Sequence, residues 1–128
     1  MVTNQEIRVF VAEDDKMWRQ VITSALEEIS AVLALPIAVD FISAQNAIKQ
    51  LKKLKVDIAI IDGNLTPGDS DGWEGQQLIE AIKKLGSDIK IIGYSAYGQP
   101  LLEAGADAVI DKLDFRSIGP TILRLLAN

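Results

Sequence analysis

The acidic triplet Glu13, Asp14 and Asp15, the single Asp62, Ser95, and the pair Asp111 and Lys112 each follow a short apolar run. Side chains in such places stand at strand ends, on loops that a rigid scaffold positions. Carboxylates converging with one Lys repel one another unless a cation lies between them. A hard divalent ion, Mg²⁺ or Mn²⁺, suits an incomplete cage of oxygen ligands and accepts a phosphate oxygen as well. Lys112 would then be the charge partner, and Ser95 a hydrogen-bond donor, for a phosphoryl group. The chain has no His and no Cys, which excludes His-assisted nucleophiles, Cys/His zinc sites and disulfides.

These residues need a scaffold that brings strand ends together, and short β-rich runs alternating with helical patterns provide one. The expected strands are Ile7 to Ala12, Ile37 to Phe41, Val56 to Ile61, Ile89 to Tyr94 and Ala108 to Ile110. The first helix carries Trp18, Val21, Ile22, Ala25, Ile29 and Leu33 on one face. The second has Ser43 as N-cap and buries Ala44, Ala47, Ile48 and Leu51. A Gly-, Pro- and Asp-rich loop from Gly63 to Gly72 leads into a third helix with Leu78, Ile79, Ile82 and Leu85, stopped by Gly86. A short helix spans Pro100 to Ala104, and the last carries Ile118, Ile122, Leu125 and Leu126 with Pro120 in its first turn. Five βα units with right-handed crossovers predict an α/β, doubly wound parallel sheet of flavodoxin-like order 2-1-3-4-5. In that order the first and third strands are neighbours at the switch point, so the acidic triplet and Asp62 share a crevice.

The runs Val-Ala-Glu-Asp-Asp at 11 to 15, Ile-Ile-Asp at 60 to 62, Tyr-Ser-Ala at 94 to 96 and Gly-Ala-Asp-Ala-Val-Ile-Asp-Lys at 105 to 112 carry a family resemblance. Over essentially its whole length the chain resembles a response regulator receiver domain. The resemblance implies a phosphoacceptor of a two-component system or phosphorelay, with Asp62 attacking a partner's phosphohistidine to form an aspartyl phosphate. It further implies that Asp14, Asp62 and the backbone carbonyl of Asn64 bind Mg²⁺, with Glu13 acting through water. Lys112 would pair with the phosphoryl oxygens, and Ser95 would move to hydrogen-bond one of them. The implied partners are a histidine kinase or histidine phosphotransfer protein and a downstream protein target. The target would meet the fourth helix, fifth strand and fifth helix, including Leu101, Leu102, Val109 and Phe115.

Three departures from the family pattern stand out: the Gly63 to Ser70 stretch is longer than in typical members, Leu113 replaces the usual Pro, and Val109 occupies the usual aromatic switch position. Val has no ring to swing, so Tyr94 and Tyr97, which flank Ser95, become the candidate reporters of its movement. Met17 and Trp18 have two readings, as core or as the start of a helix that docks a histidine-bearing helix. Asp69 and Asp71 lack the final acidic ligand of a calcium loop, since position 78 is Leu, and read as turn residues. Two other functions compete: a degenerate receiver that binds partners without phosphorylation, and a haloacid-dehalogenase-type phosphatase. The latter needs a second Asp two residues after the nucleophile, and here that residue is Asn64.

The formal charge of −5 and pI near 4.6 speak against direct nucleic-acid binding. The longest apolar stretch, Ala31 to Val39, is interrupted by Pro36 and too short to span a membrane. With no signal-peptide pattern, a cytoplasmic single domain over 1–128 without an output domain is expected, free or as a homodimer. It would catalyse only its own phosphorylation and dephosphorylation, so no enzyme activity on other substrates is expected.

Overall fold

The structure, a computed structural model, describes residues 6–69 and 71–127. Five parallel strands, β1 (Arg8–Ala12), β2 (Val32–Leu33), β3 (Ile58–Asp62), β4 (Lys90–Tyr94) and β5 (Ala108–Ile110), form one sheet in the order β2-β1-β3-β4-β5. The helices are α1 (Lys16–Glu28), α2 (Phe41–Ile48), α3 (Trp73–Lys83), α4 (Gln99–Glu103) and α5 (Ile118–Leu126), the last preceded by a 3-10 segment, Lys112–Ser117.

The central strands are apolar on both sides because each face is covered. Phe10, Ala12, Ala59, Ile61 and Ile91 pack under Ala44 and Ile48 of α2, Leu78, Ile79 and Ile82 of α3, and Leu101 of α4. On the opposite face Val9, Val11, Ile58, Ile60, Ile92 and Ile110 meet Ile22, Ala25 and Leu26 of α1 and Ile118, Ile122 and Leu125 of α5. Full burial of each Val, Leu, Ile or Phe side chain among these contributes about 2 kcal/mol. This fixes the register that sets Ala12 beside Ile61 and Asp62 beside Tyr94.

The second strand differs from expectation. Helix α1 stops at Glu28, and Ser30 adopts a left-handed φ of 57°. The Ala31 N–H then bonds the Leu26 carbonyl (2.9 Å) and the Ser30 N–H that of Glu27 (3.2 Å), a Schellman stop. Leu33 therefore lies in β2, not on the α1 face, and pairs with Val9. Pro36 interrupts the edge, so the expected strand Ile37 to Phe41 is reduced to a bridge between Ala38 and Ala12. Asp40, not Ser43, is the N-cap of α2. Its carboxylate accepts the Ser43 N–H (2.8 Å) while Ser43 Oγ accepts the Asp40 N–H (3.2 Å), a reciprocal capping box. Leu51 and Leu85 lie just beyond the ends of their helices, where Leu51 is still fully buried. Pro120 is the third residue of α5, within its first turn as expected.

Candidate functional site

Glu13 follows β1; its N–H bonds the Ala38 carbonyl (2.9 Å) on the β2 side, and the pairing of Ala12 with Ile61 sets the acidic turn beside the end of β3. Within the triplet the residues divide. Asp15 caps α1, its Oδ1 accepting the N–H groups of Met17 (2.8 Å) and Trp18 (3.2 Å). Glu13 and Asp14 are left for the crevice, where carboxylate oxygens of Glu13, Asp14 and Asp62 lie within 4.8 Å of one another. Lys112, just beyond β5, places its Nζ 3.1 Å and 3.3 Å from the two Glu13 oxygens and 3.2 Å from Asp62 Oδ2. A cavity of about 250 Å³ opens here, lined by Asp14, Asp15, Trp18, Asp62, Asn64, Ser95, Ala96 and Lys112. Larger cavities at the opposite end of the sheet and between α1 and the edge strand hold no such convergence.

Glu13 is fully buried and Asp62 is 4% exposed, so their charges are poorly solvated. Burial, together with the hydrogen bond and charge of Asp62, pushes the Glu13 carboxyl up to about 9, against the opposing pull of Lys112. Asp62 is also raised by burial, although the hydrogen bond from Glu13 and the Lys112 charge hold it back. Their contact raises Glu13 and lowers Asp62, so of the two acids Glu13 is the one that favours its proton. Burial disfavours the Lys112 charge, but the Asp62 and Glu13 carboxyls more than offset this and raise its value. Lys112 also lies 5.6 Å from the Trp18 ring centre and 5.8 Å from that of Tyr94.

The remaining candidates are distributed around this cluster. The Asn64 N–H reaches Asp62 Oδ1 (3.3 Å), and its side-chain oxygen accepts the Gly72 N–H (2.9 Å), which ties the side chain to the start of α3. Ser95 is nearly buried, and its Oγ accepts the Tyr97 N–H at 3.1 Å. A Cβ on Gly63 would lie 3.3 Å from that Oγ, which places Ser95 beside the residue following Asp62. The two tyrosines separate: Tyr97 is 63% exposed, whereas Tyr94 is fully buried edge-on to Trp18 and its hydroxyl donates to the Lys112 carbonyl (3.1 Å). Trp18 thus packs inward while Met17 is exposed. Val109 rests against Gly98 and Gly93. Leu102, Val109 and Phe115 are exposed as expected of a docking face, but Leu101 is fully buried under the sheet and belongs to the core. Asp71 accepts the Trp73 N–H (3.0 Å), a turn role.

Sequence reasoning missed two residues. Arg19 Nη1 donates to the carbonyls of Asp14 (2.7 Å) and Glu13 (3.3 Å), holding the acidic turn. Glu74, in the first turn of α3, is buried and bonded to the loop after Asp62. The arrangement fits Mg²⁺ or Mn²⁺: every donor is an oxygen, and the buried Glu13 Oε1 has no properly aligned hydrogen-bond donor.

The family model for the response regulator receiver domain matches residues 9–117. Similar solved structures include a CheY-like response regulator receiver domain protein from Methanospirillum hungatei JF-1 (23% identity, 96% of this chain and 95% of that one, TM-score 0.75). A putative response regulator from Chloroflexus aurantiacus J-10-fl is 19% identical over 97% of this chain and 100% of that one, with a TM-score of 0.76. A response regulator from Thermotoga maritima is 20% identical over 97% and 100%, with a TM-score of 0.72. No curated protein sequence matches the chain.

Proposed function

The chain belongs to the response regulator receiver domain family, and on that premise we propose that it is a phosphoacceptor whose acceptor is Asp62. The observation that carries this reading is Lys112 within 3.3 Å of both Glu13 and Asp62 at adjoining strand ends. An Asp62 oxygen attacks the phosphorus of a partner's phosphohistidine. The new O–P bond forms as the N–P bond breaks, and the imidazole leaves with the electron pair and takes up a proton. None of the 128 residues is His, so the imidazole is that of a donor outside this domain, a histidine kinase or phosphotransfer protein. Asp14, Asp62, the Asn64 carbonyl and Glu13, through water, would hold Mg²⁺ or Mn²⁺. When bound, the ion neutralises charge on the phosphoryl oxygens. Lys112 shifts its pairing from Glu13 to a phosphoryl oxygen, and Ser95 Oγ donates to another.

The domain acts on no other substrate and signals through the exposed face bearing Leu102, Val109 and Phe115, to a separate protein or to a second copy. A cytoplasmic setting suits a kinase partner, and among the described residues no helix is long and apolar enough to cross a membrane. Incubation with acetyl phosphate and Mg²⁺, followed by intact mass measurement, tests the reading. One added phosphoryl group, absent in Asp62→Asn, is expected. No gain from acetyl phosphate or from a phosphohistidine partner overturns it and leaves a phosphorylation-independent interaction module. Multiple turnover of small phosphoesters overturns it in favour of a phosphatase.

A further inference from the structure

Glu74 is a buried carboxylate that the phosphotransfer chemistry does not use. It is 7% exposed, and no Lys or Arg is paired with it among the salt bridges of the described residues. Such a group is costly to bury unless its oxygens are bonded. Both are: Oε1 accepts the Leu65 N–H at 2.8 Å, and Oε2 accepts the Thr66 hydroxyl at 2.7 Å. Leu65 and Thr66 immediately follow Asn64, in the long loop between β3 and α3. Two further bonds close the same loop, from the Gly72 N–H to Asn64 Oδ1 (2.9 Å) and from the Gly75 N–H to the Gly63 carbonyl (2.9 Å). The side chain of Leu65 is itself buried, at 2% exposure, so its peptide is clamped between the core and the Glu74 carboxylate.

We propose that Glu74 is a positioning residue that fixes the Asn64–Leu65 peptide and so pre-orients the Asn64 carbonyl for the divalent cation. The inference rests on the cation site of the proposed function and extends it to a residue that touches neither cation nor phosphoryl group. A loop held in this way loses less freedom when the ion binds. Outer contacts of this kind are worth about 10–100-fold in metal affinity.

Calorimetric titration of the intact chain with Mg²⁺ tests this, alongside urea unfolding without Mg²⁺. Glu74→Ala is expected to weaken Mg²⁺ binding about tenfold. Glu74→Gln keeps an acceptor for the Leu65 N–H and a partner for Thr66, and is expected to stay within about threefold of wild type. Thr66→Val removes only the hydroxyl donor and serves if Glu74→Ala does not fold; a smaller but measurable loss of affinity is expected from it. A merely structural Glu74 would lower the urea midpoint and leave Mg²⁺ affinity unchanged in all three variants, and that result overturns the proposal. A wild-type chain that takes up no Mg²⁺ at millimolar concentration overturns the cation site itself, a failure distinguished by its presence before any substitution.

Discussion

Binding of Mg²⁺ should expel about one proton from the acid cluster, and the size of the exchange follows from the burial of Glu13. That carboxyl is fully buried and raised to about 9, so at pH 7 it holds its proton. A doubly charged cation favours the ionised form of both acids, so metal and proton compete. Removing the proton at pH 7 costs about 3 kcal/mol, two pH units at about 1.4 kcal/mol each. Apparent Mg²⁺ affinity should therefore rise about tenfold per pH unit from pH 6 to 8 and level off near 9. Titration calorimetry at pH 7 in two buffers of different ionisation enthalpy counts the protons. About one is expected for wild type and none for Glu13→Gln, which keeps the side-chain shape without the titration. The same shift sets the sign of the stability change. A carboxyl raised from 4.5 in the unfolded chain to about 9 makes the folded state bind more protons. Its contribution is complete below about pH 4.5 and is lost as pH rises towards 9, and Asp62, raised as well, acts in the same direction. The metal-free protein should thus lose stability between pH 6 and 8.5, less so in Glu13→Gln. Mg²⁺ binding that releases no proton and is flat with pH refutes a proton held on Glu13.

Two further outcomes follow from the geometry. Lys112→Met leaves Glu13 and Asp62 facing each other without a cation and should cost about 3 kcal/mol at pH 8 by urea unfolding. Burial raises both acids, so lower pH favours their neutral forms and the loss should be smaller at pH 5, and equal losses at the two pH values contradict the ion-pair reading. Gly75→Ala places a Cβ 2.7 Å from the Asp62 carbonyl oxygen and the Gly63 Cα. It should cost about 1–3 kcal/mol and slow phosphorylation by acetyl phosphate, whereas wild-type stability would show that β3 and α3 can separate freely.

Much of this architecture was legible because its signals are local. Four strands announce themselves as continuous apolar runs, and the acids, Ser95 and Lys112 mark their ends. The second strand did not, because Pro36 splits it and the pairing of Val32 depends on β1, a partner distant in sequence. Asp40 and Ser43 are both capping types three residues apart, and only the reciprocal bonds decide which is the cap. Arg19 and Glu74 were hidden for a different reason. On a helix each reads as an ordinary surface charge, and their roles arise only because the start of the helix folds back on the turn just before it, the one carrying Asp14 or Asn64.

The two tyrosines beside Ser95 cannot be equivalent once their bonds are considered. If Ser95 Oγ turns to a phosphoryl oxygen on Asp62, as proposed, its present contact at 3.1 Å from the Tyr97 N–H must stretch or break. The peptide released is the one that starts the turn into α4, and the ring it carries is already 63% exposed. Tyr94 faces the opposite constraint, being fully buried against Trp18 with its hydroxyl on the Lys112 carbonyl; moving it would open the core beneath α1. Its phenol is raised by burial and by the nearby acids, Glu13 above all, so it stays a donor across the physiological range. On that proposal Tyr94 would anchor Lys112 in both states, and Tyr97 would be the ring free to follow Ser95. Val109, wedged against Gly98 in the same turn, makes that turn's position depend on β5 through packing alone, with no ring rotation required.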